Sequence, residues 1–375
     1  MNEWLVHGGV GSAYFVEQAS IPPESHDFLF HGEHEKKNTI YFPTVLKSDK
    51  YIVRTKVVVS EAFVSCYEMR NGEPILIWEM PTKCYTGAYI VADYVVAGDS
   101  VFRLETGEVV VSLPKEIIDT RTRSLLYEKT LFVRTAGGNS YSLDLETEKL
   151  ADCSLGPLLV WNDFVGVCVG IDVSLNELVA TCLHSKKIIW RFDFGYCLAG
   201  SGWNPAERMM PVSVINTRVV FIAADRLILL NLEDGSLISE IRYFDLYVHD
   251  KLCDAYPGLV VGSHLYANQI SAGGGSICLI NYGHPGWIVC LDSNFDQVWS
   301  HITSEQNNAV TIGDILFTTS EHFHRGYDVA TGREIWKSNN KSNCNNVFVG
   351  TNFICFEDSR GVAELYSWSE DIKGA

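Results

Sequence analysis

A short unit recurs along this chain, and its repetition leaves few architectures open. Each copy is a strand-like run, a tight turn, and a second run that ends on an aromatic or aliphatic residue. The fullest copy spans Tyr327 to Trp336, with Thr331-Gly332 at the turn and Trp336 ending the second run. Degenerate copies are Arg103 to Val111, Asp144 to Asp152 and Asn231 to Ser239. Looser ones keep the final Trp without the Thr-Gly: Glu68 to Trp78, Leu183 to Trp190 and Asp292 to Trp299. Elsewhere the chain shows runs rich in Val, Ile, Tyr, Phe and Thr, cut by Gly, Asn and Asp, with no helical period sustained over a dozen residues.

With the turns placed at Gly72, Gly107, Glu148, Lys186, Gly235, Asp296 and Gly332, successive spacings are 35, 41, 38, 49, 61 and 36 residues. A period near 40 with four short strands per unit predicts an all-β chain folded as a β-propeller. A lone four-stranded sheet has two apolar faces and buries neither; packing sheets radially as blades buries both. The whole of residues 1–375 then forms one domain. An N-terminal arm and closing strand occupy 1–38, seven repeat units 39–338, and a partial blade with a tail 339–375. The C-terminal part supplies three strands, Asn345 to Gly350, Asn352 to Glu357 and Val362 to Trp368, and Ser12 to Gln18 has the composition of the missing fourth. The expected count is eight four-stranded blades in a ring closed by N- and C-terminal strands, with seven as the alternative.

The pattern x-D-x-x-T-G-x-x-x-W, met in full by Asp328, Thr331, Gly332 and Trp336, resembles the tryptophan-docking repeat of quinoprotein (PQQ-like) propellers. The resemblance implies that the terminal Trp of one blade stacks against the next, here at Trp78, Trp190, Trp299 and Trp336. It also implies, for the enzymes of that family, a vicinal disulfide over the quinone, a calcium or lanthanide site and a secretory leader. No adjacent cysteines stand in this chain, and Glu3 occupies a place where a leader carries Lys or Arg. The chain is therefore similar to the non-enzymatic members, such as the eight-bladed scaffold of the bacterial outer-membrane assembly machinery. The expectation is no cofactor, no metal and a cytoplasmic location.

The remaining motifs agree. There is no GxxxxGK[ST], and neither Gly8-Gly9-Val10-Gly11 nor Gly273-Gly274-Gly275 fits a phosphate-binding turn before a helix. The 11 cysteines include no CxxC pair and sit mostly in apolar runs, as reduced buried thiols do. His31/His34 and His322/His324 are the close histidine pairs; two histidines two apart on a strand face one way, but neither pair has a third ligand nearby in sequence. No apolar run reaches the ~18 residues a membrane span needs. A net charge of −17 disfavours nucleic acid and anionic lipid and favours a basic partner.

The spacing stretches in three segments, Gly200 to Pro211, Arg242 to Pro257 and Ser263 to Gly286. They carry Trp203, Tyr243, Phe244, Tyr247, Tyr256, Tyr266 and Tyr282, with Trp287 just beyond. Insertions between propeller strands project from the scaffold, where aromatic side chains serve as interface anchors; the alternative is that these rings pack beneath their own loops. The functional expectation is a protein-binding propeller with a basic protein partner, an inhibitor or immunity protein against a basic toxin being one form of it. A quinone-dependent or hydrolytic propeller and a sugar-binding propeller are the alternatives.

Overall fold

The turn of the repeat is built by a side chain that closes on its own backbone. In the computed structural model, Asp328 Oδ1 accepts from the Thr331 backbone N–H at 2.8 Å and from its hydroxyl at 2.6 Å. The Gly332 N–H then donates to the Asp328 carbonyl at 2.8 Å, and the Asp328 N–H to the Arg333 carbonyl at 2.9 Å. Asn231 and Asp144 cap their turns in the same way through the N–H groups of Glu233 and of Glu146 and Thr147. The frame requires a left-handed residue, which is Gly107, Gly235 or Gly332 in three copies and Glu148 or Lys186 in two others. In the sixth copy the reversal falls on Phe295, φ 70°, one residue before the expected Asp296.

The structure describes residues 25–29, 39–41, 45–47, 50–58, 61–70, 73–83, 88–91, 93–113, 125–135, 140–153, 163–164, 166–172, 174–199, 212–215, 217–242, 267, 269–273, 275–281, 285–292, 294–303, 308–320, 322–339, 346–349, 353–357 and 363–367. Among them are eight antiparallel sheets, seven of four strands and one of five. They fall into two compact units.

The first unit lies within Pro23–Gly156 and Lys341–Ala375. Sheet one runs Thr39–Tyr41, Tyr51–Val58, Glu61–Arg70 and Glu73–Thr82, with Val45–Lys47 as a fifth strand on Tyr51–Val58. Sheet two is Tyr89–Val91, Tyr94–Ala97, Ser100–Arg103 and Val109–Ser112; sheet three is Leu125–Tyr127, Thr130–Arg134, Ser140–Asp144 and Lys149–Asp152. Sheet eight joins the chain's two end regions: Asn346–Val349, Phe353–Glu357 and Ala363–Ser367 pair in order, and Ser25–Leu29 is the fourth strand, antiparallel to Ala363–Ser367. The expected edge from Ser12 to Gln18 is thus supplied by residues further along, and 12–18 lie outside the described residues.

The second unit lies within Pro157–Asn340. Sheet four is Asp163–Phe164, Val167–Asp172, Glu177–Cys182 and Lys187–Asp193; sheet five is Val212–Ile215, Arg218–Ala223, Arg226–Asn231 and Leu237–Arg242. Sheet six is Gln269–Gly273, Ser276–Asn281, Gly286–Leu291 and Gln297–Thr303; sheet seven is Asn308–Ile312, Ile315–Thr319, Phe323–Asp328 and Glu334–Asn339. The segment Ser263 to Gly286, expected as an insertion, therefore holds the first two strands of sheet six. A single helical turn, Gly195–Leu198, follows sheet four.

Each core is a layer between consecutive sheets of one unit, and strand alternation explains why. In sheet five Val219, Phe221 and Ala223 pack toward sheet four, and Val220 and Ile222 toward sheet six. Both faces are apolar, so the inner strands read as unbroken hydrophobic runs.

Candidate functional site

A register slip in the outer hairpin aims the tryptophans. In sheet one Leu76 pairs with Tyr67 and Trp78 with Cys66, leaving Ile77 unpaired as a β-bulge. The same slip skips Val110, Ile189, Ile238, Val298 and Ile335, an aliphatic residue each time, directly before the Trp-equivalent position. A bulge raises local twist and re-aims the next side chain. The Trp78, Trp190 and Trp299 Nε1–H groups accordingly donate to the carbonyls of Leu104, Leu232 and Val329 in the following sheet, at 2.7, 2.8 and 2.6 Å. Each indole lies on the turn glycine of that sheet: a Cβ on Gly107, Gly235 or Gly332 would come within 2.6–2.7 Å of an indole carbon. Trp336 is half-buried and meets Phe317 of its own sheet edge-on, ring centroids 5.6 Å apart.

Of the anticipated interface aromatics, Trp203, Tyr243, Phe244, Tyr247, Tyr256, Tyr266 and Tyr282 lie outside the described residues. Trp287 is a correction. It is 1% exposed in Gly286–Leu291, packed with Val220, Ile222 and Leu279, so it is a core residue and not a surface anchor. Sheets five and six are joined through residues 243–268, whereas sheets six and seven are joined through 304–307. The long aromatic connection is therefore flanked by ordinary four-stranded sheets.

The histidine pair also departs from expectation. His322 is exposed, while His324 is buried and its Nδ1 lies 3.0 Å from Thr319 Oγ1, so the two do not share a face. His322 precedes the strand that begins at Phe323, which is why strand alternation does not govern it. His31 and His34 lie outside the described residues, and no group of three or more His, Cys, Asp or Glu is gathered among the described ones. Of eight described cysteines, seven are buried and Cys182 is half-buried. Burial pushes the Cys66 thiol up to about 12, whereas hydrogen bonds from Ser185 hold that of Cys182 below the ordinary thiol range.

A cleft of about 400 Å³ opens between the outer strand of sheet six and sheet seven, a feature the sequence did not mark. Its wall residues include His301, Thr303, Thr318, Arg325, Tyr327 and Arg333. His301 Nε2 lies 2.6 Å from the Gly332 carbonyl, so that nitrogen carries the proton. The imidazole packs against both Trp299 and Tyr327, centroids 5.2 and 5.4 Å away, and those two rings also adjoin each other at 6.4 Å. Burial raises the Tyr327 phenol above its ordinary range, with nearby Arg325 acting in the opposite sense. Arg325 binds Glu334 at 3.1 Å across the outer hairpin. The residues come from two sheets, so no local motif announces them.

No protein-family model and no curated protein matches this chain. Solved structures do. BamB from Moraxella catarrhalis aligns at 12% identity and a TM-score of 0.61, over 93% of this chain and 98% of that one. Sqt1 from Saccharomyces cerevisiae aligns at 10% identity and 0.63, over 89% and 97%. A europium-containing methanol dehydrogenase aligns at 11% identity and 0.56, over 91% and 86%. Such identities speak for fold alone, and the fold is that of a β-propeller.

Proposed function

We propose that this chain is a non-enzymatic, cytoplasmic propeller of eight blades that binds a basic protein partner through its aromatic connections. In this reading sheet eight closes the ring by pairing Ser25–Leu29 with Ala363–Ser367. The observation that carries the binding assignment is the 243–268 connection between two regular sheets, which holds Tyr243, Phe244, Tyr247, Tyr256 and Tyr266. Aromatic residues supply large contact area at small entropic cost, and a chain of net charge −17 steers cationic proteins toward it. The likeness to BamB and Sqt1 supports the scaffold; that to a methanol dehydrogenase shares the same fold, and fold does not carry function. Inhibition of a basic toxin such as a nuclease is the narrower form of the proposal.

The test is affinity purification of the full chain from native lysate at low salt. A stoichiometric basic protein is expected, lost on raising salt and lost when Trp203, Tyr247 and Tyr266 are replaced together by Ala. Recovery of no partner, or of one indifferent to the triple substitution, overturns the assignment.

A further inference from the structure

The cleft between sheets six and seven plays no part in the protein-binding proposal. We propose that it is a binding site for a small molecule that carries an oxyanion, either a carboxylate or a phosphate group.

Its size favours a small ligand, since pockets for such ligands enclose about 300–1,000 Å³ and this one encloses about 400 Å³. Its charge is opposite to that of the whole molecule. Two arginines and one glutamate line it, in a chain of net charge −17. Glu334 is engaged by Arg325 at 3.1 Å, whereas Arg333, exposed at the turn, has no carboxylate partner among the described residues. A guanidinium is a rigid planar fork of donors that matches two oxygens of a carboxylate or phosphate.

A second observation is independent of charge. Thr303 Oγ1 is buried and has no hydrogen-bond partner among the described residues. Burying a hydroxyl unbonded is unfavourable, and a ligand oxygen would relieve that cost. Gly286, directly across the ladder from Thr303, contributes no side chain beside it. The Thr318–Arg325 pair lies on the sheet-seven side. The walls are preorganised: His301 is held by the Gly332 carbonyl and by contact with the Trp299 and Tyr327 rings, so little order has to be gained on binding.

Calorimetric titration of the full chain with glucuronate, glucose and inorganic phosphate tests the site. Glucuronate is expected to bind and neutral glucose not to. Arg333→Gln, at an exposed turn, is expected to weaken glucuronate by about tenfold. Thr303→Val is expected to weaken it several-fold while unfolding at the same or higher urea, because the unpaired hydroxyl is gone. Phosphate that competes with glucuronate shows that the oxyanion alone is read; phosphate that does not shows that a carboxylate on an organic body is needed. The proposal is overturned if no probe binds up to about 10 mM, if glucose binds as well as glucuronate, or if either variant binds unchanged. It is equally overturned by a Thr303→Val chain that is less stable than its parent, since the hydroxyl would then already be partnered.

Discussion

Gly332 and Gly275 share nearly the same left-handed backbone, φ 70° and 75°, but not the same surroundings. A Cβ on Gly275 meets nothing within 4 Å, while one on Gly332 would stand 2.7 Å from Trp299 Cδ2. Gly275→Ala should therefore cost only the backbone term, about 1–2 kcal/mol. Gly332→Ala should cost roughly 3–4 kcal/mol, because overpacking against the indole is added. Urea unfolding of both variants measures the difference, and replacing Trp299 by Leu should remove the excess. At this scale Thr331-Gly332 and the Trp-ended runs were legible in sequence. The bulged Ile77, Ile189, Val298 and Ile335 were not, because an aliphatic residue before Trp also fits a regular strand. Nor was Phe295, since a turn anchored at both ends imposes a left-handed angle on whatever residue occupies it.

Among elements, the informative strand is Ser25–Leu29, which pairs along its length with Ala363–Ser367. Removing residues 1–29 leaves the Ala363–Ser367 edge open, and an open edge recruits other strands. That deletion should lower stability by roughly 3–5 kcal/mol, given about 1 kcal/mol per ladder hydrogen bond, and should raise light scattering. The need for a fourth strand on the C-terminal three was readable from their count. Which N-terminal segment provides it was not, because Ser12 to Gln18 and Ser25–Leu29 both have plausible strand composition and only pairing distinguishes them. Trp287 failed for a related reason: an aromatic beside a long insertion resembles a loop anchor until strand register turns it into the core.

For the molecule as a whole, burial of the thiols makes stability depend on alkaline pH. Cys66 has its pKa raised to about 12 from 9.0, first by desolvation and then by Glu68, and Cys278 is raised as well, beside Cys290. A raised thiol pKa means that the folded state keeps its proton after the unfolded state has lost it. For Cys66 the contribution is thus fully present below pH 9 and is lost between pH 9 and 12, at up to 1.36 kcal/mol per pH unit. Cys66→Ala should flatten this decline by about one proton's slope, measured by urea unfolding at stepped pH. In the folded protein at pH 8, a thiol reagent followed by peptide mass spectrometry should modify Cys182 before the seven buried described cysteines, since its thiolate is favoured and its side chain is reachable.

Local composition and periodicity determined the repeat, its four-stranded unit and the fold class, because turn chemistry and two-faced apolar strands act over a few residues and repeat along the chain. Packing between sheets decided the rest. The docking of Trp78, Trp190 and Trp299 on the following sheet, the pairing of Ser25–Leu29 with Ala363–Ser367, the burial of Trp287 and the arginine-lined cleft all depend on residues far apart in sequence that meet only in the tertiary fold.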